Sequence, residues 1–179
     1  MNVKKNLLLI NLILSFMGVG QVWQVQLSSY PLWAYVGPNE FRTYHIAWWH
    51  SIWIPLFIPA GLAIVCTIAL LWWRPSNIGK SSVRGAIVVL IITYVLTSIW
   101  WGPLMALIGS TPVEAQDIVH AFPYFATLGL QSKTEPQLYA LLLSTHWLRT
   151  ALLTLYGILI FRMAIKAFDL KSKFIPSLT

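Results

Sequence analysis

The sequence predicts an all-α fold: a polytopic membrane four-helix bundle with both termini cytoplasmic and two longer outer loops. Three observations predict it. Hydrophobic residues fill 58% of the 179 positions and charged residues only 9%, with a mean hydropathy of +0.70, far from the usage of soluble domains. Four apolar stretches reach roughly 18 residues or more, uncharged but for Arg149 in the fourth and enough to cross a ~30 Å hydrocarbon layer at ~1.5 Å per residue. The charges between the stretches also alternate in kind from one side to the other.

The spans run approximately over 6–28, 46–73, 84–109 and 137–166, within one domain covering 1–179. The first follows Lys4 and Lys5. It lacks a small-x-small cleavage site and continues through Val22-Trp23, so it reads as a retained helix rather than a removed signal. The loop after it, SSYPLWAYVGPNEFRTYH from Ser28 to His45, mixes aromatics with Pro31, Gly37 and Pro38. The second span carries Pro55 and Pro59, which predict a bend where bonds to the preceding turn are lost. Its Cys66 is the sole cysteine of the chain, which excludes an internal disulfide or CxxC mechanism. The link RPSNIGKSSVR is a tight turn broken by Pro75 and Gly79.

After the third span, the loop from Ser110 to Gln137 is expected to hold a short amphipathic helix over Pro112–Phe122, started by Ser110-Thr111-Pro112 with Glu114. The fourth span ends at Arg162. Grouping the segments by side gathers Lys4, Lys5, Arg74, Lys80, Arg84, Arg162, Lys166, Lys171 and Lys173, nine of the 12 basic residues, at one end. Four of the five acids, Glu40, Glu114, Asp117 and Glu135, fall at the other. The positive-inside rule makes the basic end cytoplasmic. The net charge of +7 therefore reads as topology and contact with anionic lipid headgroups, not as a nucleic-acid surface.

Within the fourth span, STHWLRTALLTLYGILIFR from Ser144 to Arg162, a histidine and an arginine interrupt an otherwise apolar helix. Counted from Arg162, Arg149 lies ~20 Å along the axis and so ~10 Å inside the outer edge of the core. An embedded arginine costs roughly 2.5–3.5 kcal/mol at the bilayer centre on insertion scales, so it faces the bundle interior, a partner or water. His146 lies three residues away on the same face, with Leu142, Thr150 and Leu153. Depth counting brings Gln21, Gln24 and Gln26 of the first span, His45 and His50 near the second, and Tyr94, Thr97, Trp100 and Trp101 of the third toward the same outer half. The inner half reads as almost wholly Leu, Ile, Val and Phe.

The candidate catalytic residues are therefore His146, Arg149 and His50. The candidate substrate-binding residues are Gln21, Gln24, His45, Trp53, Tyr94, Trp101 and Trp147. A neutral imidazole beside a fixed cation can act as base while the cation stabilises an anion. The alternative is a histidine and an arginine that only satisfy loop carbonyls or glutamine amides. No metal site is expected: His45 and His50 are five apart, about 140° round a helix, and lack the i, i+4 spacing of a helical metal pair. Haem stays open as an alternative, with His146 as axial ligand and His50 opposite. The tryptophan doublets Trp48-Trp49, Trp72-Trp73 and Trp100-Trp101 suit interfacial belts.

The segments QVQLSSYPLWAYVGPNEFRTYHIAWWHSIWIPLFIPAGLA and STHWLRTALLTLYGILI resemble stretches of a family of small bacterial four-helix membrane proteins, itself distantly similar to the anthrone oxygenase-like family. The likeness covers a little under half of the chain. It rests on a tyrosine-proline after the first helix, a tyrosine-histidine before the second, and a tryptophan and arginine opening the fourth. It implies oxidation of a polycyclic anthrone by dioxygen without a bound cofactor. In that chemistry His146 or His50 removes a proton and Arg149 stabilises the enolate. The asparagine expected in the third helix of such relatives has no counterpart between Gly85 and Gly109.

Two functional readings result. One is a cofactor-independent oxygenase or oxidoreductase acting on a lipophilic aromatic molecule. The other is a non-catalytic membrane subunit, or a lipid-, pigment- or haem-binding protein. The partners implied are a lipophilic small molecule, membrane lipid and either a second copy of the chain or a membrane-complex subunit. The location implied is the cell membrane, the inner membrane if the source is bacterial.

Overall fold

The computed structural model describes residues 2–169; Lys171 and Lys173 lie outside the described residues. In chain order the helices are α1 (Val3–Trp33), α2 (Phe41–Trp73), α3 (Lys80–Leu107), α4 (Pro112–Ala121), α5 (Tyr124–Thr127) and α6 (Glu135–Phe168), with a 3-10 turn at Leu130–Ser132. Among the described residues there is no strand. The helices α1, α2, α3 and α6 are each long and apolar enough to cross a membrane. They form a closed ring in which α1 packs on α6 and α2, and α3 completes the circuit against α2 and α6. The short elements α4 and α5 lie at the end that also carries residues 34–40, here called the loop end. The opposite, terminal end carries the start of α1, the 74–79 link and the end of α6.

The helices run beyond the spans expected from hydropathy. The first loop contracts to residues 34–40 because α1 continues through Trp33 and α2 begins at Phe41, which places His45 and His50 on a helix. The expected amphipathic helix forms at Pro112–Ala121. Its Thr111 side chain and Glu114 carboxylate complete a reciprocal capping box, and Pro112 sits where a missing N–H costs nothing.

Three of the long helices widen into a π turn in their loop-side halves: Val25–Ser29 in α1, Trp53–Phe57 in α2 and Thr97–Trp101 in α3. Each turn leads straight into a proline, Pro31, Pro59 or Pro103. A proline offers no N–H to the carbonyl four residues back and crowds it, so the ladder is re-spaced at that point. Pro59 withdraws a donor from the Pro55 carbonyl, and the Gln21 side-chain amide donates to it instead. Pro103 does the same to the Ile99 carbonyl, which accepts from the Tyr124 hydroxyl. Where Pro55 and Pro59 predict a bend, the structure shows a π turn at Trp53–Phe57, one of three such turns. Gly102 is required at the third, since a Cβ there would stand 2.9 Å from the Thr97 carbonyl oxygen.

Two buried clusters hold the ring together. The loop-side cluster is aromatic, built on Tyr30, Trp33, Trp101 and Phe125. The terminal-side cluster is mostly aliphatic, built on Leu8, Leu70, Val83 and Ile160. Helices in lipid gain little from hydrophobic exclusion and associate through close packing and interhelical hydrogen bonds. Both occur here. At Gly157 an added Cβ would fall 2.8 Å from Val19 Cγ2, so α1 and α6 touch nearly backbone to side chain.

The expectation of a wholly apolar inner half is corrected. Asn11 Nδ2 donates to Thr67 Oγ1 at 3.1 Å, Tyr156 OH donates to Asn11 Oδ1 at 3.0 Å, and the Thr67 and Tyr156 hydroxyls lie 2.7 Å apart. Each of these polar groups lies among apolar neighbours and looks incidental in the sequence; they meet only when α1, α2 and α6 pack.

Candidate functional site

Along α6 the residues Leu138, Leu142, His146 and Thr150 recur every fourth position and are all buried, which defines the face turned into the bundle. His146 is 0% exposed. With Arg149, it forms one wall of a narrow cleft of about 40 Å³, whose other walls include Tyr30, Trp49, Phe57 and Thr97. All three π turns border this cleft or the residues behind it, so the widened helix segments supply the room.

The polar contacts of the cleft are few and specific. Gln26 is 2% exposed; its Oε1 lies 2.7 Å from His146 Nδ1, and its Nε2 donates to the Leu143 carbonyl at 3.3 Å. The His146 ring is held edge-on by Tyr30 at 4.8 Å and by Trp101 at 6.2 Å between centroids. The Tyr30 hydroxyl donates to Met105 Sδ at 3.1 Å, and the Tyr139 hydroxyl donates to the Tyr30 carbonyl at 2.7 Å. Against these satisfied groups stand His146 Nε2, Arg149 Nε and Trp101 Nε1, buried without any hydrogen-bond partner. No carboxylate of the described residues forms an ion pair with Arg149. Buried polar atoms are nearly always paired, so a cation and a ring nitrogen left open on one cavity wall mark a place for a ligand or water.

Arg149 also borders a second chamber of about 40 Å³ toward the terminal end, with Gln21, Tyr94, Thr93, Leu153 and Tyr156. Gln21 gives its amide N–H to the Pro55 carbonyl, which leaves Gln21 Oε1 buried and unpartnered. The Thr93 and Thr97 hydroxyls are bonded back to their own helix at Val89 and Thr93 carbonyls, 2.8 and 2.7 Å. A void of this size with two or three open polar atoms suits one or two waters that would solvate the guanidinium.

Toward the loop end, the cleft adjoins a vestibule of about 500 Å³ bordered by His45, His50, Asp117, Met105, Trp49 and Gly102. Trp49, Gly102 and Met105 line both spaces. His45 is 8% exposed, stacked between Phe41 and Trp48, with Nε2 unpartnered. The rim carries the Arg42–Glu114 ion pair at 2.8 Å. The Glu114 carboxyl is held below its ordinary range first by the Thr111 backbone N–H and then by the Arg42 guanidinium.

The predicted site residues therefore divide. His146, Arg149, Gln21 and Tyr94 meet around the guanidinium. His45 and His50 line the vestibule, so His50 is not brought to His146 and the two do not form one catalytic pair. Trp101 is buried behind the His146 ring. Three residues are corrected. Trp147 is 45% exposed, because one residue beyond His146 turns about 100° away; it packs edge-on against Trp23. Trp53 is 49% exposed and packs on Phe57 at 4.6 Å. Gln24 is exposed and gives its amide to Ser29 Oγ at 2.9 Å. None of the three lines the cleft, the inner chamber or the vestibule.

Tyr30, Trp49, Met105 and Gln26 were not singled out as site residues. A signal existed for two of them: Gln26 and Tyr30 are four apart and share a helix face with Val22. Among the described residues no group of three His, Cys, Asp or Glu side chains is placed to hold a metal ion.

The fold and site define an all-helical chain with the length and apolarity of a multi-pass membrane protein and an open polar cleft between its helices. No protein-family model, curated protein or solved structure matches the sequence, so what the cleft does is argued from its own geometry.

Proposed function

We propose that the chain is a membrane-embedded oxidoreductase of the cofactor-independent oxygenase kind, acting on a lipophilic aromatic molecule carrying an acidic proton. The observation that carries this reading is the pair of unpartnered groups, His146 Nε2 and Arg149 Nε, on one wall of a narrow, mostly apolar cleft. His146 takes the proton of the substrate, and Arg149 stabilises the oxygen that becomes negative. The electron-rich anion is then oxidised by dioxygen, in a net conversion of a CH2 group and O2 to a carbonyl group and water. The cleft, at about 40 Å³, admits the reacting edge of such a molecule while its bulk rests in the vestibule of about 500 Å³.

The segregation of basic residues supports a topology with the terminal end cytoplasmic and the loop end outside, in the cell membrane. A haem group at His146 would need a hollow far larger than the cleft and a second axial ligand facing it. His50 borders the vestibule instead. A non-catalytic ligand-binding protein would use the same cleft without the oxygen step.

The test is oxygen uptake by the detergent-purified protein supplied with anthrone. The account expects one O2 consumed per quinone formed, and a loss of at least about 100-fold in His146→Ala and in Arg149→Ala of intact fold. Retention of anthrone without oxygen uptake would leave a binding protein and overturn the enzyme reading.

A further inference from the structure

The orientation of Gln26 determines which nitrogen of His146 carries the proton, and with it the kind of group the cleft accepts. A glutamine side chain has one end that only donates and one that only accepts. The Leu143 carbonyl cannot donate, so the end 3.3 Å from it is the NH2 group. Turning the amide over would set two oxygens against each other and is excluded by the network. The end facing His146 Nδ1 at 2.7 Å is therefore Oε1, which can only accept. Nδ1 must bear hydrogen. In the neutral imidazole that leaves Nε2 as a bare lone pair, and Nε2 is the buried, unpartnered atom at the cleft.

The free imidazole ring has no such obligation. Here the tautomer is set by a side chain from α1 that is itself 2% exposed, with the ring angle fixed by Tyr30 and Trp101. The cleft thus presents one acceptor and, at Arg149, one set of donors. A matching ligand group must give a hydrogen to Nε2 and take one from the guanidinium. A hydroxyl oxygen does both at once. An ether, or a ketone without an acidic hydrogen, has none to give, an ammonium meets a like charge, and a carboxylate offers Nε2 only a second lone pair. The surrounding Tyr30, Trp48, Trp49 and Phe57 rings favour a flat conjugated frame.

We propose that the cleft is a site for an aromatic or conjugated hydroxyl, a phenol or enol, and that Gln26 is the positioning residue that selects it by holding His146 in the Nδ1–H form. This rests on the reading that the cleft is where the ligand binds, but it does not require turnover.

The experiment uses the full chain in detergent micelles with 15N-labelled histidine, the His146 signals being assigned against His146→Ala. Its probes are 1-naphthol, 1-methoxynaphthalene and 1-naphthoate. In the wild-type protein the His146 Nε2 resonance is expected in the unprotonated range and Nδ1 in the protonated range, and to shift when 1-naphthol is added. The naphthol should bind at least about tenfold more tightly than its methyl ether or the carboxylate, the scale of one charge-assisted hydrogen bond. Gln26→Leu should release the tautomer and collapse that preference. A wild-type His146 protonated on Nε2 overturns the proposal without any variant, as does a methyl ether or naphthoate that binds as well as the naphthol. Selective naphthol binding without oxygen uptake from anthrone would sink the enzyme reading and leave this one standing. Oxygen uptake from anthrone without a preference for naphthol over its methyl ether would do the reverse.

Discussion

The Thr67 and Tyr156 hydroxyls stand 2.7 Å apart in the terminal half of the bundle, and Asn11 closes the triangle from α1. The Thr67 hydroxyl also lies 2.7 Å from the Ala63 carbonyl, so its one hydrogen is shared between that carbonyl and the triangle. This is a structural tie between three helices, separate from the open polar atoms at Arg149. Replacing Asn11 by Leu leaves both hydroxyls short of a partner in a low-dielectric setting. The expected loss is about 1–3 kcal/mol, toward the lower end if the hydroxyls re-pair with each other. Reversible unfolding in mixed micelles measures it, and naphthol affinity should be unchanged.

Gly102 is placed to test the role of the π turns. An alanine there would press its Cβ to 2.9 Å from the Thr97 carbonyl oxygen, a backbone atom that cannot swing away. Gly102 also lines both the cleft and the vestibule. Gly102→Ala is therefore expected to cost about 1–3 kcal/mol as an overpacked site and to weaken naphthol binding together with stability. A thermal-shift series with and without naphthol reads both; an unchanged melting temperature and affinity would show that the widened turn is not needed.

The rim of the vestibule should loosen in acid. The Glu114 carboxyl is depressed by the Thr111 backbone N–H and by Arg42, so its folded-state pKa lies below its unfolded value. Its contribution is then complete above the ordinary carboxylate range and disappears as pH falls through the depressed pKa. Amide protection across Pro112–Ala121, taken relative to the intrinsic exchange rate at each pH, should be flat near neutrality and lower in strong acid, while Glu114→Gln should bring the lower protection to neutral pH. Both groups of the ion pair are half exposed, so the effect belongs to α4 rather than to the bundle as a whole.

Much of the fold was legible because lipid imposes so few solutions: long apolar runs must be helices, and charges mark where they stop. The start of α4 at Thr111-Pro112 with Glu114 followed from local chemistry alone. The site was legible only by level. Counting along each helix assigned a depth to Gln21, Gln24 and His50 but not the side of the helix on which each lies, and Trp53 and Trp147 stand out in the sequence only as tryptophans away from the expected interfaces. Trp53 and Trp147 turned out to face away from the cavities. The π turns added a second obstacle, since one extra residue rotates everything beyond it, and the pairing of Gln26 with His146 across α1 and α6 leaves no trace in either segment. The Asn11, Thr67 and Tyr156 triangle was hidden for the same cause.

The central claim is that Arg149, partly buried and with its buried Nε unpartnered, waits for a ligand inside the bundle. The most direct measurement is native mass spectrometry of the detergent-purified protein incubated with 1-naphthol. The account predicts one naphthol retained by the wild-type protein and by Trp147→Ala, whose ring points away from the cavities, and none retained by a folded Arg149→Ala. Equal retention by the wild-type and Arg149→Ala proteins would contradict it.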